Sequence, residues 1–431
     1  MQMKKRNFLG LFVLWYGVGN YWHVENWWIN IYWERTLGAA SIYIGLMVGV
    51  SAIAGVLSQI LFGAISDTST SKYGRRRPFI LIGSITGGIS MCFFPITRFI
   101  TPLIYAVIYG VTIDCILSFL GDLTTPTRVA FLAESTIVEE RGKINAYLGL
   151  AGGVAIASVV MSSGYIFEVF GPDYSFYSGG ISLIVSGIIT FFLIEDPPID
   201  ESEIDKNWKE LVKETFTLES YRENKSFYIL MIFIFFYITG SNVHGNYLFI
   251  YLETVLGLHT FSLAIVLAGL GILGFILGIP IGILLDKYGR KKVLIISVFV
   301  ATAGNILFAF VPPFHDLTML LTFILGGIGV GFNAAVFGAS ETWLQDLAPE
   351  GREGSLLGFK ILAFVLPMTP GALLGGWLFD YGPMPDGFAH SPIIFIVGAI
   401  ISLIGLPVIK YVEETLKRST DETEENKIEA D

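Results

Sequence analysis

Long apolar stretches, separated by short charged loops, dominate the pattern along the 431-residue chain. A helix that crosses a bilayer needs about 20 mostly apolar residues, and stretches of that length recur twelve times. We call them spans 1 to 12, and they fall at roughly 8–32, 41–65, 79–97, 102–133, 145–168, 178–194, 227–250, 261–285, 293–311, 317–343, 356–379 and 391–411. The pattern predicts an all-α membrane protein with twelve transmembrane helices.

The composition agrees with a chain that lies in a membrane. Hydrophobic residues make up 53% of it and charged residues only 15%, whereas soluble domains carry about 25% charged residues. The formal net charge of −10 argues against nucleic-acid partners, which require a basic surface. Cys92 and Cys115 lie in apolar runs, and the sequence has no metalloprotease, hydrolase or phosphate-loop motif. We therefore expect no enzyme activity, no cofactor and no bound metal.

Positive residues are concentrated on one side of the predicted spans. If the N-terminus lies inside the cell, the cytoplasmic segments hold most of the 27 Lys and Arg residues, while Arg35 and Arg98 fall in external loops. Segments rich in Lys and Arg stay in the cytoplasm. The bias predicts a multi-pass protein of the cell membrane, embedded in the lipid bilayer, with both termini in the cytoplasm.

The second half of the chain repeats the first at an offset of 219 residues. The matches include charged, aromatic and glycine positions, which indicates duplication rather than shared apolar composition. They are Tyr32 with Tyr251, Glu34 with Glu253, Gly38 with Gly257, Gly55 with Gly274, Gly63 with Gly282 and Asp67 with Asp286. The sequence thus predicts two pseudo-symmetric six-helix halves.

The repeat and the charged segments divide the chain into four predicted regions. Residues 1–194 form the N-terminal half and residues 227–411 the C-terminal half. Between them lies a cytoplasmic linker, 195–226, in which apolar residues recur at helical spacing, as in an amphipathic helix on the membrane surface. The acidic tail, 412–431, lacks aromatic residues and is predicted to be disordered.

A pattern of glycines and charges follows spans 2 and 8. It reads Gly63-x3-Asp67 with Gly74-Arg75-Arg76-Arg77 in the first half, and Gly282-x3-Asp286 with Gly289-Arg290-Lys291-Lys292 in the second. The pattern resembles the loop motif of the major facilitator transporters, whose two halves hold the substrate between them. The resemblance implies a cytoplasmic gate made of Gly63, Asp67, Gly74, Arg75, Asp286 and Arg290, with Glu134 or Glu341 pairing the motif arginine. The alternative is that these Lys and Arg residues only keep their loops on the cytoplasmic side.

Two stretches resemble a narrower group of transporters. The run from Ser66 to Ile80 and the stretch Pro126-Thr127-Arg128-Val129-Ala130 are similar to those of the sucrose/proton symporters and the related glycoside-pentoside-hexuronide:cation symporters. The resemblance implies cotransport of a sugar or glycoside with a proton or Na⁺. The acid that this group carries on span 4 would fall at Leu117, whereas this chain has Asp114 and Asp122.

Span 4 carries a stripe of polar residues. At about 100° per residue, one helix face collects Asp114, Ser118, Gly121, Thr125 and Arg128, with Asp122 at its edge. A charge at the bilayer centre costs roughly 2.5 to 3.5 kcal/mol, so we expect the stripe to line an aqueous cavity. Asp114 is the first candidate for proton or cation coupling, followed by Asp122 and Glu25. The alternative for each acid is a structural hydrogen bond to a neighbouring helix.

Amides and aromatic residues share a face on span 1 and on span 7. Together with the arginine of span 4, the predicted substrate-binding residues are Trp22, His23, Asn26, Asn30, Arg128, Thr239, Asn242 and Asn246. Amides bond hydroxyl groups and aromatic rings stack on C–H faces, so the set suits a neutral polyol. For Trp27, Trp28, Tyr32 and Trp33 we predict an outer aromatic belt instead, and for His23 and His244 helix packing is the alternative.

These patterns predict a secondary transporter that alternates access between its two halves. The leading hypothesis is a monomer that moves a small-molecule solute, a sugar or glycoside, together with a proton or Na⁺. The alternative is a proton-coupled exporter of another small organic solute, although the Gly-Pro motif of drug antiporters is not evident between Gly149 and Gly164. A non-transporting membrane sensor is the third possibility.

Overall fold

The computed structural model describes most of the predicted membrane region. The described residues are 3–136, 144, 147–148, 151–155, 158, 162, 165–166, 169–196, 224–258, 260–347, 363–386 and 388–415. The predicted amphipathic linker helix, most of span 5 and the predicted disordered tail after Thr415 lie outside them. The side chains of Gly282 and Asp286, two predicted motif residues, also lie outside the described part.

The helices of the first half follow the predicted spans closely. Span 1 is one continuous rod, although its middle, Val24–Trp28, winds as a π-helix between two α-helical parts, and span 4 breaks between Gly121 and Thr124. The bounds are Lys5–His23 and Ile29–Arg35 for span 1, Ser41–Asp67 for span 2, Arg77–Phe93 with a 3₁₀ extension Phe94–Phe99 for span 3, Leu103–Gly121 and Thr124–Ser135 for span 4, and Pro172–Leu193 for span 6.

The helices of the second half follow the same order. Their bounds are Lys225–Gly245, Leu248–Ile250 and a π-helix Tyr251–Val255 for span 7, Thr260–Tyr288 for span 8, Arg290–Phe308 for span 9, Thr318–Leu321, a π-helix Thr322–Gly326 and Gly327–Asp346 for span 10, Met368–Tyr381 for span 11, and Ile393–Ile404 with a 3₁₀ end Leu406–Tyr411 for span 12. Among the described helices, eight are long and apolar enough to cross a membrane. The predicted all-α membrane architecture is confirmed.

Glycines let the helices of each half approach closely. A Cβ atom at Gly88 of span 3 would lie 2.5 Å from the Gly180 carbonyl oxygen of span 6, and one at Gly398 of span 12 would lie 2.6 Å from the Gly240 carbonyl oxygen of span 7. Small residues at these crossings bring helix backbones into contact, which is how membrane helices gain packing energy without a hydrophobic driving force.

The two halves meet at one end of the bundle. We call the end where span 1 begins and span 12 finishes the terminal end, and the opposite end, which carries the loops after Arg35 and Tyr381, the far end. Towards the far end, a Cβ atom at Gly45 of span 2 would lie 2.5 Å from the Ala372 carbonyl oxygen of span 11. Thr369 Oγ1 donates to the Gly49 carbonyl oxygen at 2.9 Å. These contacts close the far end.

The aromatic residues at the far end of span 1 are core residues. Trp28 is 2% exposed, and Tyr32 and Trp33 are fully buried. Tyr32 Oη donates to the Pro95 carbonyl oxygen at 3.1 Å, and Trp27 stacks on Phe249 of the other half at 5.3 Å between ring centroids. The predicted interfacial belt is wrong here, because these rings face neighbouring helices rather than lipid.

Candidate functional site

Asp114 is the most deeply buried acid among the described residues of the membrane region. Its side chain is completely buried in the middle of span 4, and neither carboxylate oxygen has a hydrogen-bond partner among the described residues. Ser51 of span 2 lies beside it, with its hydroxyl donating to the Val48 carbonyl oxygen of its own helix at 3.3 Å. A buried carboxylate with few donors is costly, which makes Asp114 a candidate site for a cation.

Asp122 occupies the break in span 4 and has donors nearby. Thr125 Oγ1 donates to Asp122 Oδ1 at 3.3 Å, and Gln59 of span 2 lies within hydrogen-bonding reach. A side chain at Gly55 would collide with Asp122 Oδ2, so that glycine makes room for the carboxylate. Span 2 therefore places polar residues or glycine next to both acids of span 4, namely Ser51, Gly55 and Gln59. The sequence analysis did not identify these neighbours.

Glu25 and Arg128 complete a charged group between spans 1, 2 and 4. Glu25 lies in the π-helical part of span 1, close enough to Asp114 and Asp122 for their charges to interact. Arg128 lies near Asp122, its guanidinium is 4.5 Å from the centre of the Trp15 ring, and its Nε is buried without a partner among the described residues. The three predicted coupling acids thus lie together with a single arginine, and the group carries excess negative charge when all are ionised.

The predicted substrate residues of span 1 fall into two environments. Asn26 is exposed and donates to the Trp22 carbonyl oxygen at 2.6 Å, while Trp22 and His23 are half-buried and His23 bonds the Gly19 carbonyl oxygen. Asn30 is 2% exposed, and its amide donates to the Asn246 carbonyl oxygen of span 7 at 3.0 Å. Asn30 therefore joins the two halves, since its amide also donates to the Asn26 carbonyl oxygen of its own helix. Its role as a substrate ligand stays a prediction.

Span 7 divides in the same way. Asn242 and Asn246 are half-buried, and their amides donate only to carbonyl oxygens or side chains of their own helix. Thr239 is buried, with its hydroxyl on the Phe235 carbonyl oxygen at 2.8 Å, and a Cβ atom at Gly371 of span 11 would collide with its backbone carbonyl. Thr239 thus packs against span 11, and its role as a ligand stays a prediction. His244 also packs, with Nε2 3.2 Å from Asn305 Nδ2.

The first loop motif centres on Arg76 rather than on the predicted Arg75. Arg76 Nη2 lies 2.5 Å from Asp67 Oδ1 and 2.5 Å from Glu134 Oε1, whereas the corresponding distances from Arg75 are 3.7 and 3.9 Å. Gly74, which precedes the arginines, has φ +107°, and Arg76 is the residue before the first turn of span 3. Glu134, as predicted, pairs with a motif arginine, and Gly63 lies against Pro126.

The second loop motif has a corresponding ion pair. Gly289, like Gly74, has a positive φ, at +92°, and Arg290 Nε donates to Asp346 Oδ2 at 3.1 Å. Asp346 lies five residues beyond the predicted Glu341 on the same helix, and the pairing of Glu341 with a motif arginine stays a prediction. The sequence alone left the choice of acid open, because several acids follow one another near the end of span 10.

Each loop motif is also capped by an acid that the sequence analysis missed. Asp196, just after span 6, accepts from the backbone N–H groups of Arg76 and Arg77 at 3.3 and 3.4 Å. Glu414, just after span 12, accepts from those of Arg290 and Lys291 at 3.0 and 2.9 Å. A carboxylate at a helix N-terminus satisfies free N–H groups and the helix dipole. The two halves are therefore alike in these contacts as well as in sequence.

These features define an α-helical membrane transporter: helices cross the membrane, charged side chains are buried between them, and one loop motif occurs twice. The chain belongs to the Major Facilitator Superfamily, since the model of that family matches residues 8–360 and, in a second match, residues 266–430. The twelve-helix fold predicted from the sequence is the fold of this family.

Related proteins agree with this assignment. The uncharacterised MFS-type transporter MJ1560 of Methanocaldococcus jannaschii is 26% identical over 377 residues, which cover 86% of this chain and 91% of that protein. The uncharacterised symporter YnaJ of Bacillus subtilis is 24% identical over 403 residues, 88% of this chain and 84% of that protein. The crystal structure of a D-xylose-proton symporter is 17% identical and covers 96% of this chain and 98% of its own, with a TM-score of 0.72, which shows a shared fold.

Proposed function

We propose that this protein is a cation-coupled symporter that moves a small polar solute, a sugar or a glycoside, by alternating access. The observation that carries the proposal is the fully buried carboxylate of Asp114, which has no hydrogen-bond donor among the described residues. Such a group is stabilised by binding a proton or Na⁺. The name of the relative YnaJ, a symporter, supports the same mode of action.

The arrangement of the halves corresponds to one state of the transport cycle. The bias of Lys and Arg assigns the terminal end to the cytoplasm, so the closed far end faces outside and this state receives the solute from, or releases it to, the cytoplasm. In the opposite state the far end opens and the loop motifs, with Asp67 and Asp286, hold the cytoplasmic ends of the halves together. One chain in the cell membrane contains both halves that this cycle requires, so we propose that the protein works as a monomer.

Coupling follows from the charge of the acidic group. With Glu25, Asp114 and Asp122 near one arginine, binding of a cation reduces both the repulsion between carboxylates and the cost of burying them. A bound cation therefore favours the state in which the group is most enclosed. Symport requires that the cation and the solute together favour the transition between the two states more than either does alone.

We assign solute recognition to the amides whose side chains bond only within their own helix. Asn26 of span 1 is exposed, and Asn242 and Asn246 of span 7 are half-buried. Trp22 lies beside them on span 1, while Trp27 and Phe249 form a stacked pair between the halves. Amide groups from both halves can bond the hydroxyls of a polyol, and the aromatic rings can cover its C–H faces. A solute that contacts residues of both halves then favours closure of the two halves around it.

The proposed function is tested by uptake into proteoliposomes with a panel of radiolabelled sugars and glycosides. Imposed pH and Na⁺ gradients, each in both directions, separate the two coupling ions and separate import from export. We expect accumulation of at least one sugar against its gradient when the cation flows inward. Accumulation that occurs only when protons flow in the direction opposite to the solute would identify an exporter. If no solute of the panel moves, transport of these solutes is contradicted.

We predict that Asn26→Ala and Asn242→Ala each weaken solute affinity about tenfold. Removing one hydrogen-bonding group from a binding site costs on the order of 1–3 kcal/mol, and each 1.4 kcal/mol is a factor of ten. Affinity is measured by the concentration dependence of uptake. Thr86→Val is the matched control, because Thr86 is half-buried and its hydroxyl donates to the Ile82 carbonyl oxygen of its own helix. Unchanged affinity in both asparagine variants would contradict this placement of the site.

A further inference from the structure

A second group of titratable side chains joins the two halves at the far end. Glu34, at the end of span 1, belongs to the first half, whereas Asp380 of span 11 and His390 of the following loop belong to the second. His390 Nε2 lies 3.2 Å from Glu34 Oε1, and His390 Nδ1 lies 3.6 Å from Asp380 Oδ1. The imidazole ring therefore stands between two carboxylates, one on each half.

The surroundings hold this ring in place and leave it accessible to water. The Phe379 ring stacks on His390 with 4.1 Å between ring centroids and 7° between planes. Asp380 is fixed by the backbone N–H of Ser41, which donates to its Oδ2 at 2.6 Å. The group lines a cavity of about 380 Å³ that is open to the far end, and the three side chains are 15 to 21% exposed. Protons from the far side can thus reach it.

Several other charged or titratable groups lie near the cluster. Arg35, next to Glu34, is in contact with Glu253 of span 7, and Tyr247 Oη of the same span donates to the Ala372 carbonyl oxygen at 2.6 Å. Tyr381 lines the cavity and Asp386 lies exposed in the loop. Histidine is the side-chain type that changes its charge between pH 5 and 8, and His390 is the histidine of this cluster.

We propose that Glu34, His390 and Asp380 form a second proton-binding site, whose proton holds the far end closed. This site is separate from the acids of spans 1 and 4, and its role in the transport cycle rests on the proposed function. The ligand is a proton taken from water at the far end, which bonds the free ring nitrogen of His390 and gives the imidazole its positive charge.

The chemistry of the ring explains why a proton closes this end. Neutral imidazole carries one N–H donor, so only one of the two carboxylates receives a hydrogen bond while the other faces a nitrogen lone pair. Imidazolium carries two N–H donors, one for Glu34 and one for Asp380, and its charge attracts both. When the halves separate at the far end, the contact to Glu34 is lost. By linkage, the closed state binds the proton more tightly, and acid at the far side favours closure.

The site is tested by measuring how pH changes the distance between the two halves. Spin labels are placed at the far ends of spans 4 and 10 by Leu103→Cys and Leu320→Cys in a protein with Cys92 and Cys115 replaced by alanine, and distances are recorded by pulsed electron resonance at pH 6 and pH 8. We expect the ratio of closed to open molecules to be at least about fivefold higher at pH 6 than at pH 8. A factor of about five is the lower end of the usual range for coupling between two sites.

Variants assign this pH effect to the proposed site. His390→Gln should remove it, and Glu34→Gln should reduce it while leaving His390 in place, so one variant remains informative if the other fails to fold. His315→Gln, in the far-end loop between spans 9 and 10, is the matched control and should retain the full effect. An unchanged pH response in both His390→Gln and Glu34→Gln would overturn the proposal.

A further arm separates this site from the proposed coupling acids. In Asp114→Asn the pH-dependent change in distance should persist, because His390 is still present. Loss of the change in Asp114→Asn, with retention in His390→Gln, would assign the titration to the central acids and overturn the proposal. The distances need no solute, so this measurement remains decisive even if the sugar panel shows no transport.

Discussion

Replacement of Asp114 by asparagine should abolish accumulation of the solute against its gradient and spare its exchange. The side chain is fully buried, and its carboxylate lacks hydrogen-bond donors among the described residues. Asparagine keeps nearly the same size and is neutral, so it resembles the cation-loaded acid at all times. The variant can still move between states with solute bound, and that movement supports exchange.

The expected magnitude follows from the driving force. When one proton accompanies each solute, a gradient of one pH unit supports about tenfold accumulation, since each tenfold ratio corresponds to 1.4 kcal/mol. In Asp114→Asn the ratio of internal to external solute should fall to about one. Proteoliposomes with an imposed pH gradient measure accumulation, and preloaded vesicles without a gradient measure exchange.

Asp122→Asn is the matched control for this experiment. Asp122 has the same charge and lies on the same helix, but it receives hydrogen bonds from Thr125 and lies within reach of Gln59. Because these donors stabilise its charged form, we expect Asp122→Asn to keep part of the uphill accumulation. Wild-type accumulation in Asp114→Asn would remove Asp114 from the coupling mechanism and leave Asp122 and Glu25 as the candidates.

The fold could be predicted from sequence because the bilayer imposes a simple rule on length and polarity. Spans 2, 3 and 9 match the observed helices to within a few residues. The same rule failed for Trp28 and Trp33, since hydropathy does not distinguish a ring that faces lipid from one that faces another helix. Burial depends on which helices are neighbours, and that information lies in contacts between distant parts of the chain.

The site could be predicted only as far as single helices allow. The stripe on span 4 singled out Asp114 because charges within a membrane are rare and costly. The role of Asn30 could not be found in this way, since its partner carbonyl belongs to Asn246, 216 residues away. The partners of the span 4 acids on span 2, Ser51 and Gln59, did leave a signal, because they lie eight residues apart on one face of an otherwise apolar helix.

The choice between Arg75 and Arg76 shows a limit of motif matching. Both residues follow the same glycine, and a motif assigns roles by position in the sequence. In the structure Arg76 is the residue before the first turn of span 3, and its side chain is 3% exposed. Arg75 remains 17% exposed at the edge of the same acids. Position in the motif alone therefore does not identify the arginine that carries the ion pairs.

Replacement of Arg76 by glutamine should destabilise the protein far more than replacement of Arg75. Loss of Arg76 leaves Asp67, Glu134 and the Ser66 hydroxyl without their shared donor, which contacts them at 2.5 to 2.6 Å. Removing one partner of a fully buried ion pair costs about 3–5 kcal/mol. The side chain of Asp67 is 44% exposed, so solvent screening reduces the expected loss to roughly 2–4 kcal/mol of unfolding free energy.

Arg75→Gln is the matched control, with the same chemical change one position earlier. Its contacts to Asp67 and Glu134, at 3.7 and 3.9 Å, are those of a weak ion pair worth about 0–1 kcal/mol. Thermal unfolding in detergent, followed by tryptophan fluorescence, compares the two variants. The double variant Arg76→Gln, Glu134→Gln should recover part of the lost stability, because it removes the uncompensated carboxylate as well. Equal effects of the two arginine variants would contradict the ion-pair assignment and favour the alternative in which these cations only mark topology.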